Sequence, residues 1–297
     1  MNAQAESLSP TIKAVHAITT GYVEQHKEHR NGTSKPLMWW VLTSTSWVKA
    51  PITAYAIEHR DGLVLFDTGL DPGLVSDPDY ISSPIGRFLL KKIFRFHIGL
   101  EDALDKQLDA INLASADISK VIVSHLHFDH IGGIAHVPQA ELLVSQEEWQ
   151  RLYAPHPERD WILREHIELP GANWQPVEFE PTSDPLLTPF GVCYDCMGDG
   201  SMILLPTPGH TPGSMSMLVR SYGLPPFMFV GDLTYELEPL RNNQVPGIGD
   251  AEQLKASFAK VCKLREALPD LILLPSHDPL ATETLAKALR QHQHQSR

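Results

Sequence analysis

Metal-binding side chains occupy four of six consecutive positions, at His125, His127, Asp129 and His130. They follow the apolar run Val121–Val123, whose β-branched side chains predict a buried strand. Alternate residues at a strand end point the same way, so His125 and His127 can bind one ion, while the two residues beyond the turn can reach a second. Imidazoles and a carboxylate crowded at a hydrophobic strand end are poorly solvated without a cation. The segment therefore predicts a divalent metal site.

The pattern His125-x-His127-x-Asp129-His130 after an apolar strand resembles the first motif of the metallo-β-lactamase superfamily. The remaining motifs of that family can be matched downstream, each at a predicted strand end and in the same order: Thr207–Ser214 with His210, Gly231–Leu233 with Asp232, and Pro275–Asp278 with His277. The resemblance covers Val15 to Pro279. A site assembled from so much of the chain predicts one domain over residues 1–297.

The resemblance implies two divalent metal ions held by seven residues. The implied ligands of one ion are His125, His127 and His210, those of the other are Asp129, His130 and His277, and Asp232 bridges the two. A carboxylate suits the bridging position because its two oxygens can each face one cation. Nitrogen and oxygen ligands without a thiolate favour zinc, with iron, manganese or cobalt as alternatives. By the same resemblance, Asp67 holds one ligand imidazole by the ring nitrogen that does not bind the metal.

Within the superfamily, the chain is most similar to the N-acyl homoserine lactonases. The features that carry this similarity are Tyr235 after the bridging aspartate, Phe128 inside the first motif and the run Thr207–Gly213. The resemblance implies that a hydroxide held between the metal ions opens a lactone ring, that Tyr235 donates to the lactone carbonyl oxygen, and that Asp129 transfers a proton to the released alkoxide. Phe128 would line the substrate pocket.

Other functions on the same scaffold remain open at this point. A thioesterase, a β-lactamase-like enzyme or a phosphotriesterase could use the same metal ligands. A nuclease is disfavoured, because the formal net charge of −12 repels a polyanion. A non-catalytic sensor would be expected to lack a ligand, and all seven are present.

Composition restricts the partners and the compartment. The 297 residues include 42% hydrophobic residues, enough for one large domain. The polar start, Met1 to Pro10, lacks the features of a signal peptide, and no apolar run is long enough to span a membrane. Three cysteines give no disulfide framework. We therefore expect a cytoplasmic enzyme with a small-molecule substrate and no nucleic acid, and the sequence leaves a homodimer open.

The elements that position the site follow from hydrophobic periodicity. Ile12–Ile18 and Leu37–Leu42 are predicted strands, and Asp-Gly between Ile52–Glu58 and Leu63–Phe66 predicts a β-hairpin. Histidines in charged contexts, including His29, are predicted to be plain surface residues. The basic, aromatic segment 84–97 could cover a substrate tail, form a dimer contact or be ordinary helix packing. The predicted fold class is α/β, an αβ/βα sandwich of two mixed sheets with helices outside and the site along one edge.

Overall fold

A computed structural model describes residues 10–295 except 238, 239, 241 and 243; the side chains of 293–295 are likewise outside the description. The start of the chain, for which we expect no signal peptide, therefore lies outside the described residues apart from Pro10. The strands are Ile12–His26 (β1), Trp47–His59 (β2), Gly62–Phe66 (β3), Phe94–His97 (β4), Ile118–Ile122 (β5), Glu141–Ser145 (β6), Asn173–Val177 (β7), Glu180–Pro181 (β8), Val192–Asp195 (β9), Met202–Pro206 (β10), Met215–Val219 (β11), Phe227–Gly231 (β12) and Ile272–Pro275 (β13).

Helices connect and flank these strands. The α-helices are Lys27–Asn31, Leu37–Thr43, Gly73–Ser76, Pro84–Ile93, Leu104–Ala110, Phe128–Ile131, Gln146–Arg151, Arg164–Ile167, Ala251–Ala267 and Ala281–Gln295. Short 3-10 helices span Leu100–Asp102, Ser115–Asp117, Ile134–His136, Pro157–Asp160 and Pro185–Leu187. Within the described ranges, no helix combines the length and the apolar character needed to cross a membrane.

Two mixed sheets form the centre of the molecule. One has the strand order β4-β1-β2-β3-β5-β6-β7 and the other β13-β12-β11-β10-β9-β8. Their inner faces meet in a shared core, where the rings of Tyr55 and Phe229 lie 4.6 Å apart. Separate apolar clusters pack helices on the outer face of each sheet. The predicted αβ/βα sandwich is confirmed.

The hairpin predicted from Asp-Gly is present, with β2 and β3 antiparallel and His59 opposite Gly62. β3 pairs in parallel with β5, and β5 pairs in parallel with β6, so the carboxyl ends of these three strands lie at the same edge of the sheet. In the second sheet, β12 and β13 are also parallel, with Gly231 opposite Pro275. The ends of β3, β5, β12 and β13 are followed by Asp67, His125, Asp232 and His277, respectively.

One strand prediction is wrong. Leu37–Leu42 is helical, within the helix Leu37–Thr43, because a run of six apolar residues carries no period that distinguishes a strand from a buried helix. Trp40 and Val41 face the interior, whereas Trp39 and Leu42 remain exposed. The preceding strand β1 also extends beyond the predicted Ile18, to His26.

Candidate active site

The predicted metal ligands converge at the edge where strands of both sheets end. His125 follows β5, and the short helix after it carries Asp129 and His130. From the second sheet, Asp232 follows β12 and His277 follows β13, which are neighbouring parallel strands. His210 lies in the connection between β10 and β11. All seven side chains are within one cluster of donor atoms, but their role as ligands stays a prediction.

Three imidazole nitrogens form the first group. His127 Nδ1 lies 3.0 Å from His125 Nε2 and 3.1 Å from His210 Nε2. Burial lowers the pKa of all three histidines, so their nitrogens are held in the neutral form that can bind a metal. Donors bound tetrahedrally to zinc at about 2.0–2.1 Å lie roughly 3.3 Å apart, close to these separations.

A second group contains one carboxylate and two imidazoles. Oδ2 of Asp129 lies 3.5 Å from His277 Nε2, and Oδ1 of Asp129 lies 3.9 Å from His130 Nε2. Burial raises the pKa of Asp129, but the charge of His130 and the hydrogen bond from His277 outweigh it and lower the pKa to about 2. Burial lowers the pKa of His277, but Asp232 and Asp129 outweigh it and raise the pKa to about 10.

Asp232 joins the two groups. Its Oδ1 lies 3.2 Å from His277 Nε2 and 3.3 Å from His130 Nε2, whereas its Oδ2 lies 3.4 Å from His210 Nε2. Oδ1 of Asp232 and Nε2 of His130 are buried and have no hydrogen-bond partner among the described residues. Buried polar atoms without a partner are costly, and a shared cation would satisfy them. The donor set thus fits divalent metal ions.

Neighbouring groups fix the orientation of two imidazoles through hydrogen bonds to the ring nitrogen that faces away from the cluster. The Asp67 carboxylate accepts from His130 Nδ1 at 2.8 Å and from the Ser124 backbone N–H at 2.7 Å. The predicted contact between Asp67 and an imidazole is therefore present. His277 Nδ1 donates to the carbonyl oxygen of Pro51 at 2.8 Å. Each bond leaves the opposite ring nitrogen directed at the cluster, as metal-binding histidines require.

Glu148, which no sequence motif indicated, is a fully buried carboxylate that holds two site loops together. Its Oε1 accepts from the Leu126 backbone N–H at 3.1 Å, and its Oε2 accepts from the Thr211 hydroxyl at 2.7 Å and the Gly213 N–H at 3.2 Å. Leu126 lies between His125 and His127, and Thr211 follows His210. The only local signal for Glu148 was its place three residues after Ser145, which caps the helix Gln146–Arg151. An acidic residue in the first turn of a capped helix is common, so this signal did not indicate a role in the site.

Two glycines of the Thr207–Ser214 loop lie where a side chain does not fit. A Cβ on Gly213 would approach the Glu148 backbone nitrogen to 2.2 Å. Gly209 has a φ of 143°, and a Cβ there would approach the Leu254 backbone nitrogen to 2.6 Å. The loop that carries His210 is thus packed directly against two helices.

An apolar cavity with an empty volume of about 650 Å³, which includes its open mouth, lies above the cluster. Phe128, Trp161, Phe94, Phe96, Trp40, Val41 and Ile93 contribute apolar walls. The segment 84–97 is a helix, Pro84–Ile93, followed by β4, and its end supplies three of these walls. Phe128 is buried, and its ring lies 5.7 Å from that of Phe96. The cavity is suited to an apolar ligand segment beside polar chemistry.

Tyr235 lies in the wall of this cavity next to the cluster. Its ring is 5.4 Å from that of His277, and the side chain is almost fully buried. Burial and the charges of Asp232 and Asp129 raise the pKa of Tyr235 well above the ordinary value, so the phenol keeps its proton. Its hydroxyl oxygen lies 3.0 Å from His29 Nε2. The surface position predicted for His29 is wrong, because the ring is buried against Tyr235 and Phe94.

Comparisons with known proteins agree with this architecture. The metallo-beta-lactamase superfamily model matches residues 48–277. N-acyl homoserine lactonase AttM from Rhizobium radiobacter is 31% identical over 256 residues, which cover 80% of this chain and 86% of AttM. The N-acyl homoserine lactonase of a Bacillus species is 29% identical over 253 residues, covering 85% of this chain and 88% of that protein.

A solved structure of an N-acyl homoserine lactone hydrolase, with the product N-hexanoyl-L-homoserine bound at its catalytic metal centre, shares the fold. It aligns with a TM-score of 0.72 and 22% identity, over 91% of this chain and 94% of that chain. The resemblance inferred from the four motifs is thus confirmed. The chain belongs to the metallo-beta-lactamase superfamily and, within it, to the family of N-acyl homoserine lactonases.

Proposed function

We propose that this protein is a metal-dependent hydrolase that opens the lactone ring of N-acyl homoserine lactones, and thereby degrades these signalling molecules. Two divalent ions, with zinc as the first choice, would be held by the seven residues His125, His127, Asp129, His130, His210, Asp232 and His277. When bound, such ions lower the pKa of a coordinated water towards neutrality and polarise a carbonyl group. Both properties are needed to cleave a carboxylic ester at neutral pH.

The observation that carries the proposal is the arrangement of Asp232 and Tyr235. The two oxygens of Asp232 face different groups of imidazoles, and a protonated tyrosine lies beside them in an apolar cavity. A phenol in this position can donate a hydrogen bond to the carbonyl oxygen of an ester, and that bond strengthens as negative charge develops. The metal ligands alone would suit many substrates, whereas the added donor favours a carbonyl ester.

The positions of the side chains support the remaining roles in this proposal. Hydroxide adds to the lactone carbonyl carbon, the ring C–O bond breaks, and the ring oxygen leaves as an alkoxide. Asp129 lines the cavity, and in this proposal it accepts a proton from the water as the attacking hydroxide forms and then delivers that proton to the alkoxide. The product is the open N-acyl homoserine. Phe128 and the neighbouring aromatic walls bury the acyl chain.

Three broader expectations belong to the same proposal. The chain forms a single functional domain over residues 1–297, since both sheets contribute site residues. It acts in the cytoplasm. It functions as a monomer or a homodimer, with a small molecule as its substrate.

Steady-state hydrolysis of a substrate panel by zinc-loaded protein tests the proposal. The panel contains short- and long-chain acyl homoserine lactones, a thioester, a β-lactam and a phosphotriester, with proton release or product absorbance as the signal. We expect kcat/KM for the lactones to exceed that for the other substrates by at least a hundredfold. Inert lactones beside rapid turnover of another ester would leave a metallohydrolase with a different substrate, of which a thioesterase or a phosphotriesterase is the nearest alternative.

A further inference from the structure

The partner of Tyr235 is a buried histidine that none of the four motifs contains. Nε2 of His29 lies 3.0 Å from the Tyr235 hydroxyl oxygen. The two residues are 206 positions apart in the sequence, and both are buried, with 6% of His29 and 2% of Tyr235 exposed. Among the described residues, the His29 side chain hydrogen-bonds Tyr235 and none of the seven predicted ligands, so it lies outside the predicted ligand set.

The direction of this hydrogen bond can be inferred from the proton count. Tyr235 has one hydroxyl proton, and its ring lies beside the cluster, 5.4 Å from the ring of His277 and 6.2 Å from that of His210. The nearby carboxylates of Asp232 and Asp129 attract this proton, so we infer that it is directed towards the cluster. The hydroxyl oxygen must then accept from His29, whose Nε2 carries the hydrogen.

The other nitrogen of the ring supports the same assignment. Nδ1 of His29 is buried and has no hydrogen-bond partner among the residues that the structure describes. An unpaired acceptor is less costly than an unpaired N–H, so the hydrogen is better placed on Nε2. Burial lowers the pKa of His29 to about 3, and the ring stays neutral with a single N–H.

The surroundings hold the imidazole in place. The His29 carbonyl oxygen accepts from the Gly247 N–H at 2.8 Å, and the ring packs edge-on against Phe94 at 5.4 Å between centroids. The next residue, Arg30, forms an ion pair with Glu236, the neighbour of Tyr235. The segments that carry the histidine and the tyrosine are therefore joined at two successive positions.

We propose that His29 is a positioning residue for Tyr235: its Nε2–H donates to the phenol oxygen and thereby directs the phenol proton into the cavity, towards the carbonyl oxygen of the substrate. Without this donor, the phenol could rotate its proton away from the substrate. A donor at the phenol oxygen also polarises the O–H bond and strengthens the hydrogen bond that it makes. The inference rests on the proposed lactonase function.

A double-mutant cycle tests this role. We expect His29→Leu, which keeps the volume but removes the donor, to lower kcat for an acyl homoserine lactone about tenfold with little change in KM. His29→Gln, whose amide can donate from a similar position, should restore at least a third of the activity. In a Tyr235→Phe background the His29→Leu change should have less than a twofold effect, because the group it positions is gone.

Matched controls separate positioning from damage to the fold. His156→Leu replaces an exposed histidine and should retain full activity. Metal content and melting temperature of each variant are measured beside the kinetics. Additive effects of His29→Leu and Tyr235→Phe, or full activity of His29→Leu, would overturn the inference.

The tautomer gives a readout that does not depend on turnover. In a long-range ¹H–¹⁵N spectrum of metal-free protein labelled at histidine nitrogens, the signal lost in His29→Gln should show the Nε2–H tautomer. A Nδ1–H tautomer would overturn the inference even if the lactonase is active. Conversely, a protein that shows the Nε2–H tautomer but does not cleave lactones would contradict the proposed function. The hydrogen bond from His29 to Tyr235 would then stand without the lactonase activity.

Discussion

The Glu148 carboxylate accepts a hydrogen bond of 2.7 Å from the Thr211 hydroxyl and so connects the loop of the first motif to that of the second. Both loops contain predicted metal ligands, yet the Glu148 carboxylate accepts only from the backbone N–H groups of Leu126 and Gly213 and from the Thr211 hydroxyl within these loops. Arg151 lies 3.1 Å from Oε1 and balances the buried charge. The geometry of the three-histidine group thus depends on a residue outside it.

We expect Glu148→Gln to weaken zinc binding by about 10- to 100-fold, the range found for residues that orient metal ligands. An amide retains one acceptor oxygen but cannot accept on both sides, so one loop loses its anchor. Competition with a chromogenic chelator measures the affinity. Glu147→Gln, one position away and exposed, is the matched control, and equal affinities for the two variants would contradict the prediction.

Tyr235→Phe should retain both metal ions and lower kcat for acyl homoserine lactones by about 10- to 100-fold, because one donor to the developing oxyanion is removed. The check is kcat and KM together with metal content by atomic emission. Unchanged kinetics would remove the main reason for preferring a lactone over other esters.

Asp232→Asn should lose metal and activity together. The substitution removes the negative charge that faces both groups of imidazoles, and an amide nitrogen would replace one of the two oxygens. Metal content and lactone turnover are measured on the same preparation. A variant that still holds two ions per chain would show that Asp232 does not bridge them.

Zinc uptake by the metal-free protein should release protons at pH 7. The pKa of His277 is raised to about 10 and that of His130 is also raised, so both rings are protonated before the metal binds and must become neutral to bind it. Affinity should therefore increase as pH rises from 7 towards 10. Calorimetry in buffers of different ionisation enthalpy gives the number of protons, for which we expect about two. Zinc uptake without proton release would contradict the protonated state of His130 and His277 in the metal-free protein.

Longer acyl chains should be better substrates until the cavity is filled. Each methylene buried against the aromatic walls contributes about 0.8 kcal/mol, which corresponds to an increase of up to about fourfold in kcat/KM. A series from butanoyl to dodecanoyl homoserine lactone measures this slope. Trp161→Ala should flatten it, whereas a slope unaffected by that change would show that the acyl chain lies elsewhere.

The motif residues were predictable because each lies at the end of an apolar strand. The turn signal between β2 and β3 was equally direct, and the register His59 to Gly62 follows from it. The convergence of His125 and His210 could be inferred only through the resemblance, since spacing in the sequence does not determine which strand ends meet. The motif side chains and the strands that precede them were therefore the most predictable part of the molecule, whereas their roles as ligands stay predictions.

The cavity wall was less predictable, and the failures share a physical cause. Leu37–Leu42 has no polar residue to reveal a helical period, so its conformation is decided by packing against the rest of the fold. His29 lies in a charged stretch, and its burial depends on Phe94 and Tyr235, which are far away in the chain. Glu148 serves two loops that approach each other only in the folded protein. Side chains with such long-range partners carry no local signal.

Gly209 and Gly213 contribute no side-chain atom to the centre, yet they belong to the motif by which the second loop is recognised. Their absence of a side chain is required by the backbones of Leu254 and Glu148. A descendant of this protein that had lost its chemistry would therefore keep both glycines for as long as it kept the fold. In surveys of genomes, these two positions report ancestry, and Tyr235 and the seven predicted ligands are the positions that would distinguish an active enzyme from a relative without activity.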